Sequence, residues 1–358
     1  MENKIEFNNQ EKAEPLLVKS HLQNLEGKNA EIRLARTAEG VVPLTAFFDI
    51  DLTFLNLEEL LYPEVRRKLW PNIDSSKVDD IHLAGFRLGT MFKEMYRMKM
   101  LNDNPDDDKY STWADADYYE KDFLETEGQN INLPGDEYHE IAATELKRFD
   151  EMATQIARDI YKKDPESYDK AKIGPVFQLA EEYKRLGVPM VGMTANPRGF
   201  ILEILKYTGL ADKFIECATD DDVPGDKEHK MKWLIEKLEQ DNIPVSYNRL
   251  EVIGDSVTGD VGSGPRFEHL MAEVRPELDI KTHGLLIVEN ESALSKARQK
   301  LATRPLLEKD LVGSARAQAL RWDKVKKSPY GTFSMTSKYR SEFLEPIVFD
   351  SKEPKSNG

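Results

Sequence analysis

From residue 174 the sequence alternates short apolar runs with segments of helical spacing, and this alternation limits the fold more than any other feature. "GPVFQLAEEYKRLG" (174–187) reads as a helix with a proline in its first turn and a glycine stop. "VPMVGM" follows as a strand, and "NPRGFILEILKYTG" as a helix capped by Asn196 and closed by Gly209. "KFIEC" reads as a strand, "GDKEHKMKWLIEKLEQ" as a helix, "RLEVIGD" as a strand and "GPRFEHLMAEV" as a helix. "GLLIVEN" is a further strand and "ESALSKARQKLAT" a further helix. Strands alternating with helices predict an α/β fold: a Rossmann-like parallel sheet covered by helices on both faces.

One more strand stands apart. "VVPLTAFFDI" (41–50) is Val- and Phe-rich and reads as buried. Between it and residue 174 the spacing is helical. Val78, Ile81, Leu88, Phe92 and Met95 fall on one helical face, as do Ile141, Leu146, Phe149, Met152, Ile156 and Ile160. The expected organisation is therefore an α/β core of 41–56 and 173–303, interrupted by an all-α insertion over 57–172. A polar arm over 1–40, with a helix near Leu16–Leu25, precedes it. A C-terminal helix within "LEKDLVGSARAQALRW" and a polar tail complete residues 304–358.

Composition narrows the function. The chain has 358 residues, 40% of them hydrophobic and 32% charged, with a formal net charge of −15. That balance argues against a nucleic-acid partner, which selects for basic faces. A single cysteine, Cys217, excludes an intramolecular disulfide, and its apolar surroundings read as buried and inert. No stretch approaches the roughly 18 apolar residues of a membrane-spanning helix. The polar start, "MENKIEFNNQEKAEP", has no signal-peptide core, so a cytoplasmic location is expected, with signal-independent secretion left open.

In open α/β sheets ligands bind at the carboxyl ends of the strands. Here those ends carry a distinctive set. The first strand ends in Asp49 and Asp51, the next in Thr194, and "EVIGDSVTGD" brings Asp255 and Asp260. Lysines lie between them, in "GDKEHKMKW". Several carboxylates in one crevice call for a cation, and oxygen-only ligands suit Mg²⁺. A hydroxyl and an ammonium can then hold phosphate oxygens. Other clusters read more plainly. "NDNPDDD" (102–108) lacks the glycine and the glutamate of a Ca²⁺ loop and is a solvated acidic loop. Arg198 and His229 read as surface residues, Ser256 as structural, and Thr53 as shaping a turn.

The set resembles the haloacid dehalogenase-like (HAD) superfamily. "DIDLT" is similar to its first motif, "VGMT" to its second, Lys227 in "VPGDKEH" to its third and "GDSVTGD" to its fourth, in order, over about 41–290. Lys230 and Lys232 are alternatives for the third. Leu52 stands where the first motif usually has glycine. The resemblance implies that Asp49 is a nucleophile forming an aspartyl-phosphate and that Asp51 is the general acid and base. It also implies that Thr194 and Lys227 bind phosphate, and that Asp49, Asp51 (through its backbone carbonyl), Asp255 and Asp260 hold Mg²⁺. Asp51 favours phosphoryl transfer over dehalogenation, because dehalogenases of the family lack it. The insertion matches the helical C1-type cap. The expected activity is that of a phosphoric monoester hydrolase acting on a small phosphorylated metabolite or nucleotide. A phosphomutase or phosphotransferase, a protein or lipid phosphatase and an inactive binding protein are the alternatives. The oligomeric state is left open.

Overall fold

The computed structural model describes residues 14–36, 42, 44–51, 53–73, 91–105, 135–224, 226–256, 259–260, 262–288 and 317–321. Strands β3 (Thr45–Asp49), β4 (Met190–Met193), β5 (Cys217–Ala218), β6 (Leu250–Gly254), β7 (Thr282–Val288) and β8 (Ala317–Arg321) form one sheet in the order β5-β4-β3-β6-β7-β8. Every pairing in it is parallel. β3 is central, level with β4 on one side (Asp49↔Met193) and β6 on the other (Phe48↔Ile253). Chemistry-bearing residues at the ends of these three strands therefore come together at one sheet edge.

The side-chain alternation of β3 explains its double burial. Phe47 joins a cluster with Val191, Met193 and Val252 and with Met231 and Leu234 of helix α8 (Lys227–Gln240). Phe267 of helix α9 (Ser263–Val274) completes that layer. Ala46 and Phe48 face the opposite layer, beside helices α6 (Gly174–Leu186) and α7 (Arg198–Thr208). There Phe48 packs on Phe54, Phe214 and Tyr183 with centroids 5.0, 5.8 and 6.2 Å away. A strand buried on both faces reads as a continuous apolar run, as "TAFF" does.

Between β3 and α6 the named elements among the described residues are all helices, as expected. They form α1 (Leu57–Leu60), α2 (Tyr62–Leu69), α3 (Met91–Asp103), the long α4 (Gly135–Lys163) and α5 (Glu166–Ala171). The apolar cluster on the α6–α7 face of the sheet continues into them through Val65, Met95, Phe149 and Ile156. Polar ties fasten α4 to α7. The Phe200 amide donates to Asp150 Oδ1 at 2.7 Å, and Arg158 pairs with Glu203 at 2.9 Å. Tyr161 stacks on Tyr207 with centroids 4.2 Å apart. Gly199 has no Cβ because Asp150 lies where one would be, 2.7 Å from Oδ2.

Two expectations fail. Residues 16–25 are not a helix. β1 (Leu16–Gln23) and β2 (Asn29–Leu34) form an antiparallel hairpin. Its turn uses Gly27 at φ 73°, a conformation open to glycine. Period-two burial was masked by a polar inward residue: Ser20 is buried because its hydroxyl meets the carbonyls of Phe214 (2.7 Å) and Ala211 (3.2 Å). The hairpin is tied to the core through His21 N to Ile215 O (2.7 Å) and Ala35 N to Gly187 O (2.9 Å), so it is no loose arm. The second failure is "AQALR", good helix formers that pair instead as strand β8 along β7. Edge pairing overrides weak local propensity. Strand pairing in "KFIEC" is confined to its last residue and Ala218. Of the predicted acidic loop, Asn102 and Asp103 instead end α3. The predicted helix over 291–303, residues 74–90 of the first predicted insertion helix and residues 106–108 of the acidic run lie outside the described residues.

Candidate active site

The edge formed by β3, β4 and β6 gathers the predicted residues. Asp49 is the last residue of β3 and is 5% exposed. Lys227, the first residue of α8, reaches it from the next layer, with Nζ 2.5 Å from Asp49 Oδ1 and in contact with Asp260 as well. Asp255 follows β6 directly, and Thr53 Oγ1 lies 3.1 Å from Asp49 Oδ2 and 3.5 Å from Asp255 Oδ1. Carboxylate oxygens of Asp49, Asp255 and Asp260 lie within 4.8 Å of one another. Three carboxylates thus face one ammonium.

Local structure fixes each member. Asp260 is buried, and its Oδ2 accepts from the Ser256 amide at 2.7 Å, while Ser256 Oγ accepts from the Gly259 amide at 3.0 Å. Gly254 makes this possible: a Cβ there would sit 2.2 Å from Asp260 Cβ. The "GD" of "IGDSVTGD" is therefore a packing requirement as well as a ligand position.

The electrostatics follow from burial. Asp49 is pushed up to about 7, first by burial and then by the charge of Asp260, against the pull of Lys227 and Thr53. Burial pushes Lys227 down, but Asp260 and Asp49 outweigh it and hold the ammonium above its ordinary value. An excess of buried carboxylate is a site that a divalent cation would stabilise, and its all-oxygen donor set fits Mg²⁺.

The lysine alternatives separate by placement. Lys230 is fully buried and pairs with Asp220 at 2.7 Å. Lys232 is on the same helix and pairs with Glu236. Of the three lysines, Lys227 is the one that meets Asp49 and Asp260.

Asp51 and Thr194 form a second group. Thr194 is buried, and its hydroxyl accepts from the backbone amide (3.1 Å) and side-chain amide (3.2 Å) of Asn196. Asp51 Oδ2 accepts from the Tyr62 hydroxyl at 2.6 Å. Asp49 and Asp51, alike in sequence, so have different partners.

Sequence reasoning missed several roles. Thr53 does more than shape a turn, since it bonds the Asp49 carboxylate. Asn196 is not the helix cap: α7 starts after Pro197, and the Asn196 side chain orients Thr194. Arg198 is no solvated surface residue, because it pairs with Asp222 (2.7 Å) and Glu216 (3.4 Å) and bonds Cys217 O. Tyr62 has no local signature; its contact with Asp51 is a product of the tertiary fold. Cys217 is buried, and burial pushes its thiol well above the ordinary value, as an inert cysteine requires.

No protein-family model matches the chain, and no curated protein does. Solved structures match at low identity. A predicted phosphatase from Clostridium acetobutylicum is 16% identical, over 71% of this chain and 90% of its own, with a TM-score of 0.40. CbbY from Rhodobacter sphaeroides, solved in complex with phosphate, is 13% identical, over 68% and 85%, with a TM-score of 0.34. L-2-haloacid dehalogenase from Xanthobacter autotrophicus is 12% identical, over 76% and 89%, with a TM-score of 0.34. Likeness this low assigns no chemistry, which rests on the side chains themselves.

Proposed function

We propose that this chain is a Mg²⁺-dependent phosphohydrolase of the HAD-like type, cleaving a phosphate monoester through an aspartyl-phosphate on Asp49. The observation that carries the reading is the meeting of Asp49, Asp255, Asp260 and Lys227 at the carboxyl ends of β3 and β6. Three sequence motifs far apart in the chain supply one cluster of carboxylates and one ammonium, and Thr194 of the remaining motif follows β4 directly.

The roles follow from the chemistry. An Asp49 oxygen attacks phosphorus and the ester oxygen leaves, taking a proton from Asp51. Water then attacks the phosphoryl group, gives its proton to Asp51 and regenerates the Asp49 carboxylate as phosphate departs. Lys227 and Thr194 hold the non-reacting phosphate oxygens. Asp49, Asp255, Asp260 and the backbone carbonyl of Asp51 would hold Mg²⁺, which screens the nucleophile from the anionic substrate. In this reading the insertion over 57–172 serves as the cap, which suits a small phosphorylated substrate.

The test is turnover of an aryl phosphate in Mg²⁺ by wild type and by Asp49→Asn. The variant should be inactive. Wild-type turnover retained in full by Asp49→Asn would exclude the mechanism.

A further inference from the structure

Tyr62 opens α2, the second helix after the first motif, and its side chain is enclosed. It is 1% exposed, and its ring lies between Phe149 of α4 and Phe200 of α7, with centroids 6.3 and 6.4 Å away. Its hydroxyl donates to Asp51 Oδ2 at 2.6 Å and also lies 3.3 Å from Asn196 Oδ1. Asn196 in turn orients Thr194. One hydroxyl therefore joins the first motif to the second.

We propose that Tyr62 is the positioning residue of Asp51. The proposal rests on the phosphohydrolase reading above. Two of its features come from geometry. A ring wedged between α4 and α7 has little rotational freedom, so the hydroxyl is a fixed point against which the Asp51 side chain is set. The hydroxyl donates to Asp51 Oδ2 and lies within reach of Asn196 Oδ1, so one fixed ring is tied to both side chains. Loss of the hydroxyl leaves the contacts of Lys227 with Asp49 and Asp260 untouched and removes the 2.6 Å bond that sets the Asp51 carboxyl.

Leaving groups separate this role from a general structural one. A dinitrophenolate departs without a proton, whereas an alkoxide needs one from Asp51, and kcat/KM reports the steps through phosphoryl transfer to the enzyme. Tyr62→Phe keeps the ring and its packing. With Mg²⁺, its kcat/KM for an alkyl phosphate should fall about tenfold or more, and that for 2,4-dinitrophenyl phosphate should change by less than about twofold. In an Asp51→Asn background, Tyr62→Phe should have no further effect on the alkyl phosphate. Equal losses on both substrates, no loss on either, or an undiminished loss in the Asp51→Asn background would overturn the role of Tyr62 and leave the phosphohydrolase reading standing. Wild type that turns over neither substrate would overturn both.

Discussion

The Lys227 ammonium lies 2.5 Å from the Asp49 carboxylate, deep at the end of the central strand. It also contacts Asp260, so one cation serves two buried acids. Removing one partner of such a cluster leaves charge without compensation. Lys227→Met should lower stability by about 3–5 kcal/mol in chelator and abolish turnover, with Mg²⁺ restoring part of the stability. Lys230→Met should lower stability through its lost partner Asp220 and leave kcat within a fewfold of wild type. Denaturant titrations with and without Mg²⁺, beside steady-state rates, distinguish the two lysines.

The Asp49 carboxyl ties metal binding to pH. Its folded value of about 7 lies above its ordinary 3.8, so the protonated form is favoured by folding. The sign is that of a raised acid: its contribution to metal-free stability is full below about 4 and is lost as pH rises through 7. Mg²⁺ needs the carboxylate and displaces that proton. The apparent Mg²⁺ dissociation constant should therefore rise by up to about tenfold for each pH unit below 7 and level off above it. Calorimetric titration across pH 5 to 8 reads this slope, and Asp49→Asn should flatten it.

Gly254 offers a test of geometry without a change of charge. Its missing side chain makes room for Asp260, whose Cβ would lie 2.2 Å from an added methyl. Gly254→Ala should displace Asp260 and weaken both Mg²⁺ affinity and turnover by about tenfold or more. Unchanged metal affinity in a folded Gly254→Ala protein would contradict the placement of Asp260.

The site and the fold also show what sequence can carry. Asp49, Asp255 and Asp260 were legible because strand ends in a parallel sheet converge, and because the spacing in "GDSVTGD" is local. Lys227 was the first choice from the motif order, with Lys230 and Lys232 as alternatives, and the partners of the three lysines differ only through their positions on α8. The hairpin of 16–34 was obscured by Ser20, a polar residue whose inward position depends on carbonyls nearly two hundred residues away. β8 was obscured because alanine, leucine and arginine favour a helix until a neighbouring strand edge is available. Tyr62 and Asn196 had no signature, since their partners are set by packing between the insertion and the core.

The seam between α4 and α7 carries its own prediction. Asp150 accepts from the Phe200 amide in the first turn of α7, and burial raises its carboxyl above the ordinary value. Asp150→Ala should lower stability by about 1 kcal/mol by orphaning that amide. Urea unfolding measures this, and Asp150→Asn, which keeps an acceptor oxygen, should recover much of the loss.

The central claim is that Asp49 becomes covalently phosphorylated during turnover. Wild type mixed with an aryl phosphate and Mg²⁺, quenched in acid and digested, tests it most directly. The account predicts one phosphoryl group on the peptide containing Asp49, labile to alkali as an acyl phosphate is and absent from Asp49→Asn. A phosphoryl group on another residue, or turnover that persists undiminished in Asp49→Asn, would contradict it.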